Sequence, residues 1–140
     1  MSALFFLYLS QVIDMYIFWN NNPAGIRIGD CVVRAISEAM GQPWESTYVD
    51  LCIEGFMFAD MPNSNAVWES YLRSHGWKKH IVPDSCPYCY TIADFVADHP
   101  KGTYIVATCS HVVCVRGAIL DNWDSSGEVV AYYFSQEEKE

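Results

Sequence analysis

Cys31, His111 and the Asx cluster after His111 are the side chains of this chain whose types and spacing suit covalent chemistry. Cys31 follows Gly29-Asp30 where the pattern turns helical. In the first turn of a helix, unpaired N–H groups and the positive end of the dipole lower a thiol pKa and favour the nucleophilic thiolate. A cysteine in isolation is most often just a small buried apolar residue. His111 opens the apolar run Val112-Val113-Cys114-Val115, and a histidine at a strand edge is ordinarily one more polar side chain. It gains meaning from Arg116-Gly117, which turns the chain back so that Asp121-Asn122-Trp123-Asp124 returns beside it. An imidazole next to a thiol takes its proton as general base, and an Asx side chain fixes the tautomer and holds the ring.

Two hairpin registers are open on spacing alone. A two-residue loop of Arg116 and Gly117 pairs His111 with Asn122 and leaves Asp124 in diagonal reach. A three-residue loop of Val115, Arg116 and Gly117, with Gly117 left-handed, pairs His111 with Asp121.

The elements that must position these groups divide the chain into a helical half and a strand half. Asn20 to Gly25 is a loop by composition. Asp30 is placed to cap a helix in which Val32, Ala35, Ile36, Ala39 and Met40 form one stripe, with Gly41 as its stop. A second helix follows Pro43, carries Trp44, Tyr48, Leu51 and Cys52, and is expected to stop at Gly55. Phe56 to Asn63 reads as irregular. A third helix runs from Ser64 or Asn65 to Gly76. Trp77 to Val82 reads as a strand, and Thr91 to Asp94 as a capping box opening a short helix to about Asp98. Strands are expected over Tyr104 to Thr108, His111 to Val115, Ala118 to Trp123 and Val129 to Phe134. Helices first and adjacent antiparallel strands after them make an α+β plan.

At 140 residues with 51% apolar side chains the chain can bury one core, which excludes a disordered tail protein. A formal charge of −9 argues against nucleic acid or an anionic membrane as partner, since both need a basic surface. The apolar segment Ala3 to Leu9 is too short to span a bilayer and is not flanked like a signal peptide. The expected organisation is an extension over 1–14 ahead of a start at Met15, a single domain over 15–135 and an acidic tail over 136–140. Cytoplasmic placement with mostly reduced thiols follows, with Cys52, Cys109 and Cys114 read as core thiols.

Taken together, an early helix-borne cysteine, a histidine 80 residues later and an Asx residue on the next strand resemble the papain-like cysteine peptidase and amidase superfamily. Asp121-Asn122-Trp123 matches that family's Asn-Ser-Trp ending with Asp for Asn. The match favours Asp121 as orienting residue and Trp123 as shield. Asn22-Pro23-Ala24-Gly25 leading to Gly29-Asp30-Cys31-Val32-Val33-Arg34-Ala35-Ile36, with His-Pro-Lys-Gly-Thr-Tyr-Ile-Val at 99–106, is similar to small papain-like proteins of phages and gut bacteria. The likeness runs from about Met15 to Phe134. It departs where the family carries an oxyanion glutamine before the cysteine, because none lies between Asn20 and Asp30. Asn22, ahead of Asn20 or Asn21, is then the choice for that amide donor, alongside the Cys31 N–H.

The resemblance implies a small papain-like fold in which the nucleophile helix packs on a C-terminal antiparallel sheet. It implies a cysteine hydrolase acting on a peptide, isopeptide or other amide bond of a peptide or protein substrate, through Cys31, His111 and Asp121, with no metal or organic cofactor. An acyltransferase or transglutaminase-like enzyme uses the same triad and differs only in what attacks the thioester. A phage-type binding or structural protein would keep the fold without turnover. Cys86-Pro87-Tyr88-Cys89 raises a fourth reading, a CxxC redox protein, although the motif lies past the middle of the chain and after three helices. Those two cysteines would need two further ligands to hold zinc.

Overall fold

A computed structural model describes residues 15–136, so the extension over 1–14 lies outside the described residues, as does all of the acidic tail except Gln136. The chain is α+β, with four helices and a six-stranded sheet among the described residues. A short strand β1 (Tyr16–Phe18) is followed by α1 (Cys31–Met40), α2 (Trp44–Phe58) and α3 (Asn65–Ser74). Then come β2 (Trp77–Ile81), α4 (Ile92–Asp98), β3 (Tyr104–Ala107), β4 (Val112–Val115), β5 (Ile119–Asp121) and β6 (Tyr132–Gln136). The sheet order is β1-β5-β4-β3-β6-β2. All neighbours are antiparallel except β1, which the sequence pattern did not mark as a strand and which runs parallel to β5.

Both faces of the sheet are covered, which explains why β4 reads as an unbroken apolar run with every residue buried. On one face Val32, Ile36, Leu51, Trp68, Leu72 and Phe134 form a core under α1, α2 and α3. On the other, Phe95 and Val96 of α4 meet Val106, Val113, Val115 and Ile119. Ile105 and Val106 fall into different cores because successive strand residues point to opposite faces.

Local signals set several boundaries. Gly41 closes α1 in the left-handed conformation, and the Thr91–Asp94 capping box opens α4. The expected stop at Gly55 is corrected: α2 continues to Phe58, and Ala59 takes the left-handed cap instead. The glycine has a different cause. A Cβ at Gly55 would lie 2.8 Å from the Asp60 carbonyl oxygen, so the returning loop needs the bare backbone there.

The hairpin between β4 and β5 also differs from both expected registers. Val115 pairs with Ile119 and Cys114 with Leu120, around a loop of Arg116, Gly117 and Ala118, with Gly117 left-handed at φ 70°. The ladder between these strands has two rungs, so His111 and Asp121 lie past its last rung at the open end of the hairpin. Strand alternation no longer decides there which side chains meet. No helix of the described residues is long and apolar enough to cross a membrane.

Candidate active site

Cys31 is the first residue of α1 and half-buried, and α1 lies across β4. His111 directly precedes β4, in a tight turn held by the Thr108 N–H donating to the His111 carbonyl at 2.8 Å. The Cys31 sulfur lies against the His111 ring and the Val112 N–H. On the far side of the ring, His111 Nε2 meets Asp121 Oδ2 at 2.6 Å. Because the carboxylate takes the Nε2–H, the neutral ring keeps its lone pair on Nδ1, the nitrogen left for the sulfur. Trp123 covers the imidazole, with ring centroids 4.8 Å apart.

The structure thus brings together three of the expected residues, Cys31, His111 and Asp121. The alternatives for the third position do not meet the ring. Asn122 is buried and its N–H donates to Asp121 Oδ1 at 2.8 Å, while Asp124 accepts from the Ser126 N–H in an exposed turn.

Asp121 is 1% exposed and receives four donors: His111, Arg34 Nη1 at 2.7 Å, the Asn122 N–H and the Ser125 hydroxyl. Arg34, 6% exposed, also donates from Nε to Asp30 Oδ1 at 2.8 Å. Asp30 Oδ2 in turn accepts from Asn22 Nδ2 and Trp44 Nε1. The result is a buried row of alternating charge, Asp30, Arg34, Asp121 and His111, ending at the Cys31 sulfur. Arg34 belongs to no sequence motif of the candidate site. Its signal was present: the one basic residue of α1, set among Val32, Val33, Ala35 and Ile36, one turn after Asp30.

Two expectations about the surrounding loop are corrected. Asp30 occupies the N-cap position but its side chain caps no N–H group, because Arg34, Asn22 and Trp44 claim it. Asn22 is buried behind Asp30, with its Oδ1 accepting from the Ala24 N–H, and does not line the cleft beside Cys31. Asn20 and Asn21 are likewise spent on Ile26 and on Ser37 with Arg34.

The electrostatics follow from these contacts. Burial pushes the Cys31 thiol up, but His111, the Val112 N–H and Arg34 outweigh it and hold it below its ordinary value. Burial pushes the His111 imidazole down, yet Asp121 and the Cys31 sulfur raise it to about 9. Burial raises the Asp121 carboxyl, and His111 and Arg34 more than reverse this. Both shifts favour the imidazolium–thiolate pair over the neutral imidazole and thiol.

A cleft of about 160 Å³ opens beside Cys31 and His111, with Gly29, Asn63, Asn65 and Ser110 on its walls. Asn65 Oδ1 accepts from Trp68 Nε1 at 3.1 Å, which orients the amide. No motif marks Asn65 in the sequence, where its only local feature is its place at the start of α3.

The remaining cysteines separate by environment. Cys114 is buried and pushed up to about 12 by burial, an inert thiol. Cys109 is exposed rather than in the core, because it lies in the turn before His111. Cys86 and Cys89 form a disulfide in the loop between β2 and α4. Neither lies in the first turn of a helix, so no dipole activates them as redox thiols. Among the described residues no three His, Cys, Asp or Glu side chains group as metal ligands. Comparison with protein-family models, with curated proteins and with solved structures finds no match to this chain.

Proposed function

We propose that the chain is a cysteine hydrolase of papain-like architecture that cleaves a peptide or other amide bond. The observation that carries this reading is the line from Cys31 through His111 to Asp121, assembled from residues 80 and 90 positions apart and ending in a buried 2.6 Å bond. A buried carboxylate in that position orients the imidazole and stabilises its charged form. The seating of a nucleophile helix on an antiparallel sheet supports the architecture.

In the first half-reaction the Cys31 thiolate forms a bond to the carbonyl carbon. His111 gives its Nδ1 proton to the nitrogen as the C–N bond breaks, and an amine leaves. A water then gives its proton to Nδ1 and attacks the thioester carbon. The C–S bond breaks, the thiolate returns and a carboxylic acid is released. The first-turn N–H of Cys31, left free of Asp30, and the Asn65 amide are the donors for the oxyanion. On this reading Asn65, and not Asn22, is the side-chain amide donor.

A peptidyl epoxide probe, followed by peptide mapping, tests the reading. The expected result is a single adduct on Cys31 that disappears in His111→Ala. Labelling of Cys109 in preference to Cys31, or Cys31 labelling indifferent to His111, would overturn it.

A further inference from the structure

The cleft at Cys31 is small, but it does not end the groove. A second pocket, about 460 Å³, shares Thr108 and Cys109 with it as a common wall. That volume lies in the usual range for ligand sites, about 300–1,000 Å³. Both cavities open at the same end of the sheet. The Val82 N–H donates to the Ala131 carbonyl, and the Ala131 N–H to the Ala107 carbonyl, so the floor of the second pocket continues the ends of β2, β6 and β3. A substrate seated at Cys31 thus has a route along this end past Thr108 and Cys109.

The walls are aliphatic: Val82, Pro83, Val130 and Ala131. The polar groups at its edge include two carboxylates, Asp84 and Glu128, and among the described residues no lysine or arginine lines it. Neither carboxylate has a basic partner among the described residues. Asp84 Oδ1 is held by the Cys86 N–H at 3.1 Å, and Oδ2 has no hydrogen-bond partner among the described residues. Apolar walls with anionic ends match a side chain that has an aliphatic stem and a cationic head. A glutamate there would meet two like charges, and a neutral chain would use only the walls.

We propose that this pocket is the specificity site of the hydrolase reading, on which it rests. It receives a lysine or arginine side chain of the peptide substrate, and Asp84 and Glu128 set that preference. The chain's net charge of −9 also draws cationic peptides toward it.

The test uses tripeptidyl chloromethyl ketones, from which the Cys31 sulfur displaces chloride. Lysine, norleucine or glutamate is placed at either of the two residues before the ketone. Norleucine keeps the stem and removes the charge. The lysine probe is expected to alkylate Cys31 about two- to fivefold faster than the norleucine probe at one of the two positions, the scale of partly exposed ion pairs. The glutamate probe should be slowest. In Asp84→Asn/Glu128→Gln the ratio should fall to about one, while asparagine still accepts the Cys86 N–H. Iodoacetamide, which carries no side chain, reports the thiol alone at about pH 6. Failure of iodoacetamide to label Cys31 would overturn the hydrolase reading and this proposal with it. Iodoacetamide labelling without a lysine preference, or a preference that persists in the double variant, would overturn the pocket assignment alone.

Discussion

Replacing Arg34 by methionine isolates the buried charge row from the chemistry at its end. Arg34 is the cation between two buried carboxylates, at 2.8 Å from Asp30 and 2.7 Å from Asp121. Methionine keeps much of the volume and leaves both anions in the interior. Breaking a buried ion pair by removing one partner costs about 3–5 kcal/mol. The low end applies here, because Asn22 and Trp44 still serve Asp30, and His111, Ser125 and the Asn122 N–H still serve Asp121. With a urea slope of about 2 kcal/mol per molar, the midpoint should fall by about 1.5 M. That is a large share of the roughly 5–15 kcal/mol that holds a domain folded. Arg34→Lys should recover about half, since one ammonium cannot reproduce a fork that reaches both carboxylates. The pH dependence checks the cause. The Asp121 carboxyl is held below its ordinary value, so its contribution is present above about pH 3.9 and lost as pH falls through the lower folded value. The gap between the parent and Arg34→Met should therefore narrow from pH 7 toward about pH 3. A loss under about 1 kcal/mol at pH 7, or an equal loss at both pH values, would refute the ion-pair account and leave Arg34 as a space-filling residue.

Two further outcomes follow from the same geometry. In an NMR titration His111 should lose its proton near pH 9, and Asp121→Asn should lower that value, because only the Cys31 sulfur is then left to oppose burial. Since the folded value is raised, the stability that His111 contributes is full below about pH 6.5 and is lost as pH rises through about 9; a titration near the ordinary value in the parent would mean that the Asp121 contact does not persist in solution. On the proposed hydrolase reading, Asp121→Ala should slow hydrolysis of a fluorogenic peptide amide by roughly 10²–10⁴, whereas Asp124→Ala should stay within a few-fold, because Asp124 is spent on the Ser126 N–H in an exposed turn. Equal losses from both would place the orienting role elsewhere.

The features legible in the sequence are those whose causes are local. The left-handed glycines at 41 and 117 mark turns because a positive φ strains a residue that carries a side chain, a constraint set within the residue itself. The capping box at Thr91 and Asp94 closes within one helical turn. Cys31 declares itself by standing where an apolar helical stripe begins, and His111 and Asp121 by flanking a turn that brings them back together. The rest depends on separations that no local signal reports. Strand β6 enters between β3 and β2, and β1 joins β5 in parallel, pairings between segments far apart in the chain. The register slips past both expected hairpins, yet Asp121 still reaches His111, because the ladder ends before them and packing against α1 decides the contact. Asn22 looked free in a loop and is instead buried on Asp30. Arg34 looked like one charge on a helix and is the cation that two carboxylates, 91 positions apart, need in order to be buried together. The types of the groups at the candidate site were therefore written in the chain, while their donors, counter-charges and cleft arose only when the fold took Asp30, Arg34, Asp121 and His111 out of water, where each needs a partner.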